Sequence, residues 1–268
     1  MGTQPLLFES TTETPEIACP SLQNGGSQGL LRPYPLNPGS EENSLYKQSQ
    51  SLADPSTPVD ALHLYEIPLF NELRQEFSGI FSTFSPAMKA KDVQLYRHSL
   101  RVQSLALFFT TKVLDLPEAE ALTIGLGAFF HDLGKMHIKE KILLKASGLT
   151  RQEFEIIQGH PANGADMLNE FKLIQNVVPL VYHHHERLDG RGYPDGIRGG
   201  AIPLGARIIA IVDAFEVMTS HRTYQKSRTS FQAFEELYDH AGTQFDAELV
   251  ELFCNSFYLP LLNTIHRP

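Results

Sequence analysis

Histidine and aspartate recur along this chain where apolar residues would be expected: His98, the pair His131 and Asp132, His160, the run His183–His185, and Asp213. A lone histidine on an apolar helix face is most often hydrogen-bonded to backbone. A buried aspartate without a cation costs roughly several kcal/mol, and Arg207, the basic residue nearest Asp213 in sequence, is not on its helical face. Metal ions would satisfy all of these groups at once. Imidazole and carboxylate without thiolate suit first-row divalent ions such as iron or manganese, and zinc less well. The set exceeds the need of one ion. Neighbouring residues on a helix diverge by about 100°, so an ion shared by His131 and Asp132 must lie just off the helix end, where the second oxygen of Asp132 could bridge to another. Two ions about 3.5–4 Å apart can brace the entering and leaving oxygens of an in-line displacement at phosphorus. Two other metal chemistries fail on spacing. A zincin needs H-E-x-x-H, but Asp189 stands where the second histidine should follow His185 and Glu186. A zinc deaminase needs a C-x-x-C pair, which the chain lacks.

These groups must be positioned by helices. Leu95, Val102, Leu105 and Phe109 share a face on which His98 is a polar intruder. The next helix is expected to start near "DLPE", with Asp115 as cap and Glu118 at the capping-box position, and to end at Gly134 with His131 and Asp132 in its last turn. Thr150 and Glu153 form a second capping-box pattern, and Pro161 breaks that helix so that His160 falls at an end or kink. Leu173 to His185 reads as one helix whose face of Ile174, Val177 and Val181 continues to His184 and His185, which favours those two over His183. A glycine loop follows. Then "PLGARIIAIVDAFEVM", with Pro203 in a first-turn position, is apolar on almost every side around Asp213. Two more helices are expected near Phe231 to His240 and Ala247 to Leu259. Nothing alternates like a strand for long, so the class is all-α.

Before these elements, residues 1 to about 60 are dominated by Ser, Thr, Pro, Gly, Asn and Gln, the composition of a disordered arm or linker. With 22 Lys+Arg against 31 Asp+Glu, the net charge of -9 argues against a broad face for extended nucleic acid, though a compact anionic substrate remains possible. Two cysteines, Cys19 and Cys254, make neither a disulfide framework nor a thiolate zinc site. No Lys or Arg precedes Arg32, no apolar run reaches the roughly 18 residues of a membrane span, and Leu6 occupies the place where a myristoylation signal needs Ser or Thr. The expected location is the cytoplasm, without a membrane.

Five segments in order, "HSLRV" from His98, "HDLGK" from His131, "HPANG" from His160, "HHERLDGRGYP" from His184 and "ARIIAIVDAFEVMTSHRTY" from Ala206, resemble the HD-GYP domain, the branch of the HD phosphohydrolases that opens cyclic di-GMP. The similarity covers about Val93 to Phe253. It implies an HD-type helical bundle, with a helical lead-in over 61–92 and the phosphohydrolase domain over 93–268. It also implies two metals, sometimes three, and hydrolysis to the linear dinucleotide pGpG or onward to the mononucleotide. By resemblance, His98, His131, Asp132 and Asp213 hold the first metal. His160, His184 and His185 hold the second, with Asp132 bridging. Lys135 matches a lysine that contacts the scissile phosphate, and Arg222 an arginine that clamps the other phosphate. Gly190, Gly192, Tyr193 and Pro194 match the naming loop, where Tyr193 could stack on a guanine or on a partner such as a diguanylate cyclase.

Departures from the family pattern qualify these expectations. Gln94 replaces a glutamate that supports a third metal in some members, so two metals are expected. Gln225, with Lys226 beside it, replaces a second basic residue after Arg222, which would weaken the phosphate grip, and Lys139 stands where proline is common. Three functions are therefore compared: a cyclic di-GMP phosphodiesterase, with a mixed guanine–adenine dinucleotide as a related substrate; a non-hydrolysing dinucleotide sensor or cyclase-docking module; and, more remotely, a nucleotidase of the HD group.

Overall fold

In a computed structural model the protein is described at residues 74–75, 77–145, 147–220 and 228–265, with side chains described to residue 257. The arm over 1–60, residues 61–73 and 76 of the lead-in, and Arg222, Gln225 and Lys226 lie outside the described residues. The long elements are α1 (Ser78–Lys91), α2 (Val93–Phe108) and α3 (Glu118–Phe130), then, after a short α4 (Glu140–Leu143), α5 (Arg151–Gln158) and α6 (His160–Asn169). They continue through α7 (Val178–His183), α8 (Leu204–Thr219), α9 (Ser230–Asp239) and α10 (Ala247–Ile265). Among the described residues the fold is all-α; the one extended pairing is an isolated bridge between Ala241 and Phe245. None of the helices described is long and apolar enough to cross a membrane.

The apolar spacing of α8 makes it the central helix. Ile208, Ile209, Ile211, Val212, Phe215 and Met218 are buried all round it, and it packs against α2, α3, α7 and α9. Two apolar clusters flank these helices. One joins α2, α8, α9 and α10 through Leu105, Phe215, Phe234 and Phe253, the other joins α1, α3, α6 and α7 through Phe81, Phe84, Phe129, Phe130, Leu168 and Val181. Rings in the second cluster meet edge-on, Phe81 on Phe129 at 4.8 Å and Phe129 on Phe130 at 4.8 Å, the geometry that aromatic quadrupoles favour.

Local signals mostly act as expected. Thr150 and Glu153 form a reciprocal capping box on α5, and Gly159 separates α5 from α6, so His160 opens a helix. Four expectations need correction. Asp115 does not cap α3: its φ is 49°, and Pro117 flanks the helix without a side-chain cap. The α-helix ends at Phe130 rather than Gly134, because the chain tightens into a 3-10 turn at Leu133–His137. Leu173 to His185 is not one helix: a 3-10 turn at Lys172–Ile174 precedes α7, which carries its proline in the first turn, where a missing N–H leaves no bond unmade. Pro203 likewise sits one residue before α8 rather than inside it.

Candidate metal centre

Three helix ends and two helix interiors converge on one buried point. His98 projects from α2 and Asp213 from α8. His131 and Asp132 follow the end of α3, His160 opens α6, and His184 and His185 follow α7. His98 Nε2 lies 3.2 Å from His131 Nε2 and 3.1 Å from Asp213 Oδ1, and His131 Nε2 lies 3.7 Å from the same Asp213 oxygen. On the other side, His160 Nε2 lies 3.2 Å from His184 Nε2, and the His185 ring is 4.1 Å from that of His184. Asp132 stands between the two groups. Its Oδ2 is 3.4 Å from His131 Nε2 and its Oδ1 is 3.2 Å from His160 Nε2.

The ring tautomers decide what this arrangement can bind. His131, His160 and His184 each meet a backbone carbonyl through Nδ1, at Ala128, Ile157 and Val181, all at 2.7 Å. A carbonyl has no proton to give, so Nδ1 carries it and Nε2 presents a lone pair. Two such lone pairs face each other at 3.2 Å between His160 and His184, an arrangement that repels unless a cation sits beside both. Asp132 Oδ1 and Asp213 Oδ1 are also buried without a hydrogen bond, and buried carboxylate oxygens are rarely left so. The donor set therefore fits a divalent metal. Asp132, His160, His184 and His185 can supply ligand atoms to one point, and His98, His131 and Asp132 to another.

Electrostatics divide the two halves. Burial, with further repulsion from neighbouring imidazoles, holds His184 and His185 well below the usual histidine range, and burial also lowers His160 against the pull of Asp132. Burial opposes charge on His98 too, but Glu216 and Asp213 outweigh it and raise its pKa to about 9. Asp132 is held well below the carboxylate range because Lys135 and His131 overcome its burial, and Asp213 is lowered likewise by His98 and His131. In metal-depleted protein, the charge on His98 contributes stability in full below its ordinary value near 6.5, and that contribution is lost as pH rises through about 9. An ion entering beside His98 must displace this proton. Its affinity is expected to rise about tenfold per pH unit from 7 toward 9, whereas binding beside His160, His184 and His185, already neutral, stays level. Manganese titration of metal-depleted protein at several pH values checks this; two equivalents with the same pH dependence would contradict it.

Lys135 projects from the 3-10 turn and its Nζ is 2.7 Å from Asp132 Oδ2. His183 stands apart from the ligand groups, half-buried, with Nδ1 3.9 Å from Glu186 Oε1. Gln94 is exposed at the start of α2, its N–H donating to Asp92. Lys139 is exposed with φ −64°, the angle proline would impose, so its replacement of proline leaves the backbone path unchanged. In the glycine loop the Tyr193 ring lies 4.8 Å from that of His185, with its hydroxyl buried and unpartnered. A Cβ on Gly192 would come 2.4 Å from the Arg187 nitrogen and 2.6 Å from the His185 oxygen; only glycine lets the loop close so tightly on the ligand strand.

Two buried carboxylates were not singled out by the sequence reasoning. Glu186 accepts from the N–H groups of Asp195 and Gly196 at 2.7 and 2.9 Å, which staples the glycine loop beside His185. Glu216 receives His98 Nδ1 at 2.5 Å, Arg101 Nε at 2.5 Å and the Ser220 hydroxyl at 2.5 Å. A signal existed for Glu216: it follows Asp213 by three residues on the same apolar helix, as Arg101 follows His98 on α2.

Known proteins resemble the chain in sequence and in fold. Over 209 residues the chain is 32% identical to the cyclic di-GMP phosphodiesterase response regulator RpfG of Xanthomonas campestris, covering 77% of this chain and 54% of that protein. It is 35% identical to the 3'3'-cGAMP-specific phosphodiesterase 2 of Vibrio cholerae, covering 69% of this chain and 36% of that protein. The chain thus spans about half or less of the length of these curated relatives. In fold it is similar to Bd1817, an HDG"Y"P protein from Bdellovibrio bacteriovorus, with a TM-score of 0.53 at 17% identity over 81% of this chain and 70% of that one. Residues 82–249 match the family described as HD domain, which bears out the resemblance carried by the five motifs: the chain belongs to the HD domain family.

Proposed function

We propose that this chain is a metal-dependent phosphodiesterase that opens cyclic di-GMP mainly to linear pGpG, using two divalent ions, iron or manganese. One observation carries the proposal: Asp132 turns one oxygen toward His98 and His131 and the other toward His160. In this assignment His98, His131, Asp132 and Asp213 hold one ion, and His160, His184 and His185 hold the second, with Asp132 shared. The cyclic dinucleotide comes from the similarity to RpfG and to the cGAMP-specific enzyme, whose names record such substrates.

Bound ions would supply Lewis acidity at phosphorus and an acidified water. The protein supplies orientation and fixed charge. Lys135, largely buried and braced on Asp132, offers an ammonium to phosphate oxygens as negative charge grows on them, without reorganising water. Hydrolysis breaks one P–O3′ bond, and the oxygen of water ends on phosphorus as the new 5′-phosphate. Arg222 is assigned to the other phosphate. Gly192 and Tyr193 form the wall beside His185; a buried Tyr193 hydroxyl with its ring against His185 suits a substrate wall better than an outward tip for a cyclase.

The test is turnover of purified protein loaded with iron or manganese, on cyclic di-GMP and on 3'3'-cGAMP in parallel. Accumulation of the linear dinucleotide is expected, faster for cyclic di-GMP; preference for cGAMP would reassign the substrate. Tight binding without product, at a confirmed two metals per chain, would instead identify a sensor.

A further inference from the structure

The ligand histidines are not held alike. His131, His160 and His184 rest their outer nitrogens on neutral backbone carbonyls three residues back. His98 instead reaches across to α8 and meets a carboxylate, Glu216 Oε2, at 2.5 Å. That carboxylate is fully buried, and its other oxygen is engaged by Arg101 from α2 and by Ser220, the residue on which the chain leaves α8. Arg101 and Glu216 thus form a cross-helix brace one turn beyond the His98 and Asp213 pair.

We infer that Glu216 is a positioning residue that makes the two ion sites unequal: it fixes the Nδ1–H tautomer of His98 and strengthens its Nε2 as a donor, so the ion beside His98 depends on Glu216 and the ion beside His160 does not. The physical reason is that an anionic partner on the outer nitrogen pushes electron density toward the inner one, which a neutral carbonyl does more weakly, and such outer partners typically govern metal affinity about 10–100-fold. Charge on Glu216 is held in place by Arg101, so the brace keeps its geometry as ions come and go. Ser220 ties the same carboxylate to the start of the segment that carries Arg222 two residues later.

The inference rests on the two-ion assignment above, and the test separates the two. Manganese is titrated into metal-depleted wild type, Glu216→Gln, His98→Ala and the double variant at a pH above about 9, where no proton on His98 competes with the ion. Wild type is expected to bind two equivalents. Glu216→Gln should weaken one of them about 10–100-fold and leave the other unchanged; His98→Ala should remove that same equivalent, and adding Glu216→Gln to it should change nothing further. A wild type binding fewer than two equivalents sinks the two-ion assignment itself. Two equivalents in wild type that Glu216→Gln leaves intact, or weakens alike, overturn the role of Glu216 alone. Proton NMR gives a readout independent of metal: a far-downfield Nδ1–H resonance from His98 in wild type, lost in Glu216→Gln, and its absence from wild type counts against the inference. Should Glu216→Gln not fold, Glu216→Asp keeps a charge opposite Arg101 while withdrawing it from His98 by one methylene, and the same selective loss is required of it.

Discussion

Asp132→Ala is expected to reduce turnover below detection and to lower the metal content of the purified protein. The expectation follows from position. The carboxylate is buried, its two oxygens face different imidazole groups, and Lys135 leans on it at 2.7 Å. Loss of an outer supporting partner costs roughly 10–100-fold in metal affinity or activity; loss of the group shared by both sites must exceed that. The metal-free variant should also be less stable, because Lys135 keeps a mostly buried ammonium without its anion, and breaking a buried pair from one side costs about 3–5 kcal/mol. Asp132→Asn keeps the shape and should lose activity as completely. Elemental analysis coupled to product chromatography reads both variants, and retained turnover in either would show the shared-ligand assignment to be wrong.

Gly134→Ala is expected to have the next largest effect, although residue 134 binds nothing. Its added Cβ would sit 2.0 Å from the His160 carbonyl oxygen and 2.5 Å from the Gly164 nitrogen. Both are backbone atoms of α6, so no side-chain rotation relieves the clash, and the 3-10 turn must move away from α6. Asp132 and His160 straddle that contact at 3.2 Å, so the separation opens the centre. Overpacking of a tight core commonly costs about 1–3 kcal/mol and occasionally more; here the upper end or beyond is expected, a fall in Tm of about 6–12 °C at roughly 2–4 °C per kcal/mol, with metal lost from the His160 side. Gly79→Ala is the control. A Cβ there meets nothing within 4 Å in α1, and removing a helical glycine should stabilise by about 0.5–1 kcal/mol. Equal melting temperatures for the two variants would contradict the close-packing account.

The candidate ligand set was legible because its chemistry conflicts with its surroundings. A histidine such as His98 among Leu95, Val102 and Leu105, or an aspartate such as Asp213 in the middle of an apolar helix, has no reason to be there unless something polar meets it. Helical spacing alone also favoured His184 and His185 over His183, and the structure brings those two to His160 while leaving His183 outside. What escaped was whatever depends on backbone detail or on partners distant in sequence. Asp115 carries the composition of a cap, but the chain turns before it can act as one. The proline of α7 starts a helix that apolar periodicity alone would begin five residues earlier, at Leu173. Glu216 was hidden because its partners are 115 and 118 residues away on another helix; a carboxylate in an apolar helix announces a need without naming who meets it.

Anomalous scattering from a crystal of the manganese- or iron-loaded protein tests the central claim most directly. Two peaks are predicted, one within ligand reach of His98, His131, Asp132 and Asp213, the other of Asp132, His160, His184 and His185. A single peak, or peaks away from Asp132, would contradict it.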